Sequence, residues 1–238
     1  MLTRPTLIIL PGWGGTKESW QKFIDLARSN YEVVCLELPC FGGEPCPPQV
    51  WGVEEYANFV KNKLSGFSPP NTVILGHSFG GQVAACLIGA NPHLCAKLIL
   101  SGAAVYRRQI SLKQLIFWPL AKVGGRLFCL PGLRRLSSAA RRVLYLAADS
   151  PDYSKTSGIE REIFKRITKQ DVSGYLPGIT VPTLVVWGQK DAYVPLSAGR
   201  RIARCIPGAR LEVVPGGRHG LHIQKPQELL EIIKSFTP

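Results

Sequence analysis

The segment Gly76-His77-Ser78-Phe79-Gly80 places a serine between two glycines, after the apolar run TVIL and before an alanine-containing stretch of helical spacing. A glycine on each side allows the sharp turn between a strand and a helix that lifts a serine hydroxyl clear of a sheet. A helix that starts at Phe79 would direct its N–H groups and its positive dipole end at a charge developing beside Ser78. We therefore predict that Ser78 is a nucleophile and that Gly76 and Gly80 shape its turn. The alternative is a glycine-rich turn that contains an incidental serine.

A serine hydroxyl becomes a useful nucleophile only beside a general base, and the sequence contains four histidines. His77 adjoins the serine and is expected to support the turn, whereas His93 precedes an apolar run and is expected at the surface or in packing. His219 and His222 follow the last apolar run, where an α/β sheet carries functional groups. We favour His219, which lies among glycines, and keep His222 as the alternative.

The base in turn needs an acid that orients it, and the expected chain order is serine, then acid, then histidine. Asp191 meets this order because it follows the apolar run TLVVWG and precedes His219. Asp149, Asp152 and Asp171 are weaker candidates because they fall in a segment without predicted strands. An aspartate that only stabilises a turn is the alternative interpretation of Asp191.

A second glycine-rich segment, LIILPGWGG at residues 7–15, follows the first apolar run. No G-K-[ST] follows it, as a phosphate-binding loop would require, and the third glycine of a dinucleotide fingerprint would fall at Lys17. The remaining role is to supply a backbone N–H to an oxyanion. We predict that the N–H groups of Trp13 and Phe79 form an oxyanion hole and that Gly12 supports the turn.

The elements that must position these residues alternate along the chain, which predicts a doubly wound α/β sheet of about six mostly parallel strands. Continuous apolar runs are typical of strands that are buried on both faces. The predicted strands are TLIIL (6–10), YEVVCLEL (31–38), TVILG (72–76), AKLILSG (96–102), TLVVWG (183–188) and RLEVV (210–214). Helical spacing predicts helices over 16–29, 50–64, 79–90, 196–206 and 226–236.

One long segment interrupts this alternation after the fourth strand. Residues 103–178 show no clear strand but read as amphipathic helices broken at proline and glycine, which predicts a helical cap inserted into the sheet domain. We therefore assign residues 1–102 and 179–238 to the core. The insertion is far longer than an ordinary connection, as expected of a lid or a binding element.

The predicted cap is strongly basic within a chain of net charge +13. It holds 14 of the 29 Lys and Arg residues but only 5 of the 16 Asp and Glu residues. Solvated helix faces are one explanation. The other is an anionic partner, either an acidic substrate, an acidic carrier protein or an anionic membrane surface next to the apolar residues 115–118. We expect no nucleic acid, because no aromatic–basic recognition motif accompanies the charge.

The composition of the chain indicates which broad class of protein it belongs to. Apolar residues make up 45% of the chain and charged residues 19%, which is typical of a globular protein. No apolar run approaches the roughly 20 residues of a membrane span, and the first residues lack a signal-peptide core and cleavage site, so we expect a cytoplasmic protein. The seven cysteines form no C-x-x-C pair and are irregularly spaced. They predict buried reduced thiols rather than zinc or a disulfide framework.

Together the motifs resemble the α/β-hydrolase family in its compact type with a helical cap. The resemblance rests on LIILPGWGG, ELPCFGGE, VILGHSFGG, PTLVVWGQKDAYVP and GGRHGLHIQKPQEL, which run over nearly the whole chain. It implies hydrolysis of a small-molecule ester, thioester or amide without a cofactor or metal. Some relatives cleave C–C bonds or transfer acyl groups, and others are non-catalytic binding proteins that have typically lost a triad member. The spacing from His219 to Pro226 resembles that of the family, which favours His219 over His222.

The sequence also departs from the family pattern. Pro11 stands where the oxyanion loop usually carries histidine, and Glu37, Cys40 and Glu44 replace an acid, a glycine and a serine of the segment after the second strand. These changes predict an altered mouth of the site. Two leading antiparallel strands that are common in the family are not expected, so the sheet should contain six parallel strands.

Overall fold

The computed structural model describes residues 4–107 and 156–237. Within these ranges the chain forms six strands. They are β1 Thr6–Leu10, β2 Glu32–Cys35, β3 Thr72–His77, β4 Lys97–Ser101, β5 Thr183–Gly188 and β6 Arg210–Val214. Apolar side chains fill β1, β3 and β5 on both faces, as a central parallel strand requires.

Helices connect these strands. They are α1 Lys17–Ala27, α2 Val53–Lys63, α3 Phe79–Ala90, α4 Gly158–Ile167, α5 Leu196–Cys205, α6 Leu221–Gln224 and α7 Pro226–Phe236. Short 3₁₀ turns occur at Leu64–Gly66, Pro69–Asn71, Pro92–Leu94 and Ser173–Gly178. No helix in the described ranges is both long enough and apolar enough to cross a bilayer.

All five strand pairings are parallel, and the strand order is β2-β1-β3-β4-β5-β6. The order confirms the predicted α/β-hydrolase fold with six parallel strands. Alternate strand residues face two separate hydrophobic clusters, one with α1 and α7 and the other with α2, α3 and α5. The sheet is therefore covered by helices on both faces, and its carboxyl edge is left for the connecting loops.

The last part of the predicted cap packs against the sheet domain. Ile163 and Ile167 of α4 and Leu176 of the following 3₁₀ turn are buried in the cluster that also holds α2 and α3. Most of the predicted cap, including the basic pairs at 134–135 and 141–142 and the apolar residues 115–118, lies outside the described residues. The domain boundaries at 102 and 179 stay predictions.

The second strand ends earlier than predicted. The apolar run continues to Leu38, but β2 ends at Cys35. Leu36 still donates its N–H to the Ile9 carbonyl, whereas the Glu37 carboxylate accepts N–H groups from outside the sheet. An apolar run in the sequence does not predict these hydrogen bonds of Glu37 to residues outside the sheet.

The prediction of buried reduced thiols is wrong for the disulfide-bonded Cys40 and Cys46 and for the exposed Cys205. Cys40 and Cys46 form a disulfide, because the intervening loop folds back and brings their Cα atoms to 4.1 Å. Cys40 and Gly42 adopt left-handed backbone angles, with φ of 78° and 57°, which produce this reversal. Cys86 and Cys95 are free and buried as predicted, but Cys35 is half-buried and Cys205 is exposed. Cys129 lies outside the described residues.

Candidate active site

Ser78 occupies a strained turn between β3 and α3. Its backbone angles are φ 52° and ψ −114°, and a positive φ is uncommon for a residue with a side chain. A Cβ atom on Gly80 would lie 2.1 Å from the Leu10 carbonyl oxygen, and one on Gly76 would lie 2.7 Å from the Gly80 carbonyl oxygen. Only glycine fits at both positions, as predicted from the spacing, so the turn can pass tightly beneath the serine.

The surrounding backbone holds Ser78 in this conformation. Its N–H donates to the Ser101 carbonyl oxygen at 3.1 Å, and its own carbonyl oxygen accepts the N–H groups of Gln82 and Ala104 at 3.0 Å each. These bonds join the turn to the end of β4 and to the first turn of α3. Three hydrogen bonds, two from the end of β4 and its following loop and one from α3, therefore oppose relaxation of the strained angle.

The residues 11–16, here called the oxyanion loop, pass directly beside Ser78. A Cβ atom on Gly12 would lie 3.1 Å from the Ser78 Cβ, and Gly12 accepts a hydrogen bond from the Gly15 N–H at 2.9 Å. Pro11 therefore does not turn the loop away from the serine. Among the described residues, neither the Trp13 N–H nor the Phe79 N–H has a hydrogen-bond acceptor. Both predicted oxyanion donors remain available.

Asp191 and His219 form a hydrogen-bonded pair. The His219 Nδ1–H donates to Asp191 Oδ2 at 2.8 Å, which leaves Nε2 as the basic nitrogen. The Asp191 side chain is fully buried, and its second oxygen accepts the N–H groups of Tyr193 and Val194 at 2.9 Å each. With three donors, the carboxylate is fixed in place and sets the tautomer and the orientation of the imidazole.

The residue that follows β4 leaves room for the His219–Asp191 pair. Strand β4 lies between β3, which carries Ser78, and β5, which precedes Asp191. Gly102 follows β4 with φ 56°, and a Cβ atom there would lie 3.2 Å from His219 Nδ1 and 3.4 Å from Asp191 Oδ2. A side chain at this position would therefore crowd the His219–Asp191 pair. The sequence reasoning missed Gly102, although a glycine directly after a predicted strand was a visible signal.

His77 packs between His219 and a further histidine, His222. The His77 ring centroid lies 4.8 Å from those of His219 and His222, and the His77 Nδ1–H donates to the Ser101 carbonyl oxygen at 2.9 Å. Burial, then the nearby charges of His219 and His222, hold the pKa of His77 well below its ordinary value. Neutral His77 therefore supports the turn without adding a charge.

The alternative histidine and acids lie in other environments. His222 stacks on Trp20 with ring centroids 3.9 Å apart, and its buried Nδ1 has no hydrogen-bond partner among the described residues. His93 is exposed. Asp171 accepts hydrogen bonds from Ser173 and from the Arg107 N–H. Asp149 and Asp152 lie outside the described residues. Of the alternatives that the structure describes, none is hydrogen-bonded to His219.

Tyr193 is a second residue that the sequence reasoning missed. Its ring stacks on His219 with centroids 5.2 Å apart and an interplanar angle of 25°, while 55% of the residue remains exposed. It follows Asp191 by two residues in a loop, where no periodic pattern marks a contact. Tyr193 therefore covers one face of the imidazole from the solvent side.

The buried histidines predict a loss of stability in acid. Burial, with a smaller contribution from His219, lowers the pKa of His222 from its ordinary 6.5 to about 4. Between these pH values the unfolded chain binds more protons, so the free energy of unfolding falls as the pH decreases from 6.5 toward 4. Substituting His222→Phe keeps a ring against Trp20 and removes one titrating group. Between pH 7 and pH 5, the free energy of unfolding should therefore fall by up to about 2 kcal/mol less in the variant than in wild type.

Urea unfolding at the two pH values measures this difference. The exposed His93, which is remote from Trp20 in sequence and outside the ring contacts of His222, provides the control substitution His93→Ala. An equal loss in His222→Phe and wild type would contradict the assignment of the acid sensitivity to His222.

The chain is similar to a family of known proteins in sequence and in structure. A family model described as "Alpha/beta hydrolase family" matches residues 7–232. The uncharacterized hydrolase YugF of Bacillus subtilis is 26% identical over 98% of this chain and 90% of its own length. The pimeloyl-[acyl-carrier protein] methyl ester esterase of Aeromonas hydrophila is 24% identical over 98% of this chain and 95% of its own length. Among solved structures, the enol-lactonase of Burkholderia xenovorans LB400 superposes with a TM-score of 0.74 at 18% identity, covering 99% of this chain and 92% of that one.

Proposed function

Because the chain belongs to the alpha/beta hydrolase family, we propose that it is a serine hydrolase that cleaves a carboxylic ester or thioester of a small molecule. The observation that carries this proposal is the 2.8 Å His219–Asp191 hydrogen bond beside the strained Ser78 turn. Ser78, Asp191 and His219 each follow a strand of the parallel sheet, in the chain order serine, acid, histidine that this architecture uses for a nucleophile, its orienting acid and its base.

The first half of the reaction acylates Ser78. His219 Nε2 accepts the hydroxyl proton while the Ser78 oxygen attacks the carbonyl carbon, and Asp191 stabilises the imidazolium that forms. The carbonyl oxygen becomes an oxyanion, which the N–H groups of Trp13 and Phe79 stabilise. Collapse of the tetrahedral intermediate expels the alcohol or thiol, which takes the proton from His219.

The second half removes the acyl group. Water replaces the leaving group, His219 Nε2 accepts one of its protons, and the resulting hydroxide attacks the acyl carbon. The second tetrahedral intermediate collapses, releases the carboxylic acid and returns the proton to Ser78. Each half uses one proton transfer in each direction, so the enzyme ends in its starting state without a cofactor.

A panel of p-nitrophenyl esters of graded acyl length tests this function directly. We expect hydrolysis above background for at least one member, with a maximum in kcat/KM at the chain length that the acyl pocket accepts. Labelling of the protein by a fluorophosphonate probe provides a second measurement that does not depend on the substrate. Absence of both turnover and labelling would refute the proposal and favour a non-catalytic binding protein.

Acyl transfer and C–C bond hydrolysis are alternatives on the same residues. Both would use Ser78, Asp191 and His219 in the roles described, so the reacting groups alone do not separate them from ester hydrolysis. Adding an acceptor alcohol to the ester assay distinguishes transfer, because an acyltransferase forms a new ester while a hydrolase forms only the acid.

The basic cap and the cellular location remain predictions. A relative is named an esterase for an acyl-carrier-protein ester, and the excess of Lys and Arg in residues 103–178 would suit an acidic carrier, an anionic substrate or an anionic membrane surface. Comparing binding to anionic and neutral vesicles tests the membrane option.

The Cys40–Cys46 disulfide weighs against the predicted cytoplasmic location, since reducing compartments disfavour such bonds.

A further inference from the structure

Residues 37–46, which contain the Cys40–Cys46 disulfide and are here called the Cys40–Cys46 loop, lie against the oxyanion loop. We propose that it is a positioning element, which holds Trp13 so that its N–H faces the reacting carbonyl. This inference rests on the proposed function, because it concerns the same oxyanion hole. Three features of the described residues carry it: a ring contact, a carboxylate bridge and the cross-link itself.

The ring contact joins Phe41 to Trp13. Their ring centroids lie 4.7 Å apart with an interplanar angle of 76°, an edge-to-face arrangement. Phe41 is buried, whereas Trp13 is only half-buried, so the phenylalanine is the better anchored partner. Phe79 and Phe164 also contact Trp13 edge-on, with centroids 5.6 and 5.0 Å away. The indole is therefore enclosed by rings from three separate elements.

The carboxylate bridge joins the two loops at a second point. One oxygen of Glu37 accepts the N–H of Lys17 at 2.9 Å, directly after the oxyanion loop, and the other accepts the N–H of Gly43 at 2.8 Å. A Cβ atom on Gly42 would lie 2.1 Å from this carboxylate, so glycine is required where the chain passes it. The oxyanion loop is thus attached to the Cys40–Cys46 loop through Trp13 and at its end.

The cross-link explains why the Cys40–Cys46 loop can act as a fixed support. Cys40 has a φ of 78°, a conformation that costs free energy for a residue with a side chain and persists only when surrounding bonds enforce it. The disulfide to Cys46 supplies such a bond at Cys40 itself. Directly before it, the Pro39 carbonyl oxygen accepts a hydrogen bond from the Tyr56 hydroxyl at 3.1 Å. Two of the departures from the family pattern, Glu37 and Cys40, therefore act in the same support.

Reducing the disulfide tests the proposal. Dithiothreitol transfers two electrons and two protons to the bond, so that Cys40 and Cys46 become thiols while the reagent closes into its own cyclic disulfide. An oxyanion donor is worth about 10²- to 10³-fold in kcat, and a loosened donor should lose part of this. We expect kcat on the best p-nitrophenyl ester to fall about tenfold on reduction, with little change in KM.

Variants separate this cause from other effects of the reductant. Cys46→Ser should match reduced wild type and no longer respond to dithiothreitol, whereas Cys205→Ser, which removes an exposed free thiol, should respond like wild type. Phe41→Ala should lower kcat by a similar factor. Phe59→Ala is the matched control, because Phe59 packs on Trp51 away from the oxyanion loop. The rate of fluorophosphonate labelling should fall in parallel with kcat.

The outcomes distinguish this proposal from the one on which it depends. If the protein hydrolyses esters and is labelled, but reduction and Phe41→Ala leave kcat and labelling rate unchanged, the positioning proposal is wrong and the proposed function stands. A variant that has lost its fold is recognised by its circular dichroism, and the reduced wild type then decides the matter. If neither oxidised nor reduced protein turns over or is labelled, both proposals fail together.

Discussion

Replacing Ser78 with alanine should reduce kcat for ester hydrolysis by about 10⁴- to 10⁶-fold, because the variant has no atom that can form the acyl intermediate. KM should change little, since the hydroxyl contributes to the reaction more than to binding. The weak activity that remains would come from water attack on a carbonyl held by the oxyanion donors. The measurement is steady-state hydrolysis of the best p-nitrophenyl ester, with fluorophosphonate labelling beside it.

An exposed serine provides the matched control for this prediction. Ser197 lies in the first turn of α5, so Ser197→Ala should keep both turnover and labelling. Alanine at position 78 inherits the φ of 52°, and thermal unfolding checks that the strained turn still forms. Labelling that persists in Ser78→Ala would show that another residue is the nucleophile.

Replacing His219 with alanine should have an effect of the same size, about 10⁵-fold in kcat. The serine would keep its position but lose the base, so the rate-limiting step becomes attack by an unassisted hydroxyl.

Substituting Asp191→Asn should lower kcat about 10⁴-fold, because the amide of asparagine can donate to His219 Nδ1 and stabilise the wrong tautomer of the imidazole. Because these residues act as a unit, the double variant should be little worse than His219→Ala alone.

The other histidines test the choice of base. His93→Ala should be fully active, and His222→Phe should retain most activity while changing the acid stability, since His222 stacks on Trp20 instead of bonding to Asp191. Each rate is measured near neutral pH, with unfolding midpoints as the check on folding. A loss in His222→Phe as large as that in His219→Ala would reverse the assignment.

The strands of the sheet could be predicted from the sequence because a strand that is buried on both faces appears as a continuous run of apolar residues. The runs TLIIL, TLVVWG and RLEVV match β1, β5 and β6 residue for residue, and the helix predicted over 226–236 matches α7. The G-x-S-x-G spacing also predicted the turn at Ser78, because steric exclusion around such a turn admits only glycine. Local sequence determines these features almost alone.

Features that depend on distant contacts were not predictable in the same way. Glu37, which follows the early end of β2, accepts the N–H groups of Lys17 and Gly43 from outside the sheet. The Cys40–Cys46 disulfide depends on two left-handed residues in a loop, and an irregular cysteine spacing gives no sign of them. The approach of Gly102 to His219 brings together the residue that follows β4 and a residue of the loop after β6. Such pairings are set by the order of the strands rather than by any local pattern.

The position of β6 at the edge of the sheet affects the order in which activity and secondary structure are lost during denaturation. An edge strand is held by one neighbour only, and β6 pairs with β5 alone. The loop that carries His219 follows this strand, so fraying of the edge would separate the base from Ser78 while the four inner strands stay paired. Activity should therefore disappear at lower denaturant concentrations than circular dichroism does, and a turnover assay would report the integrity of this edge.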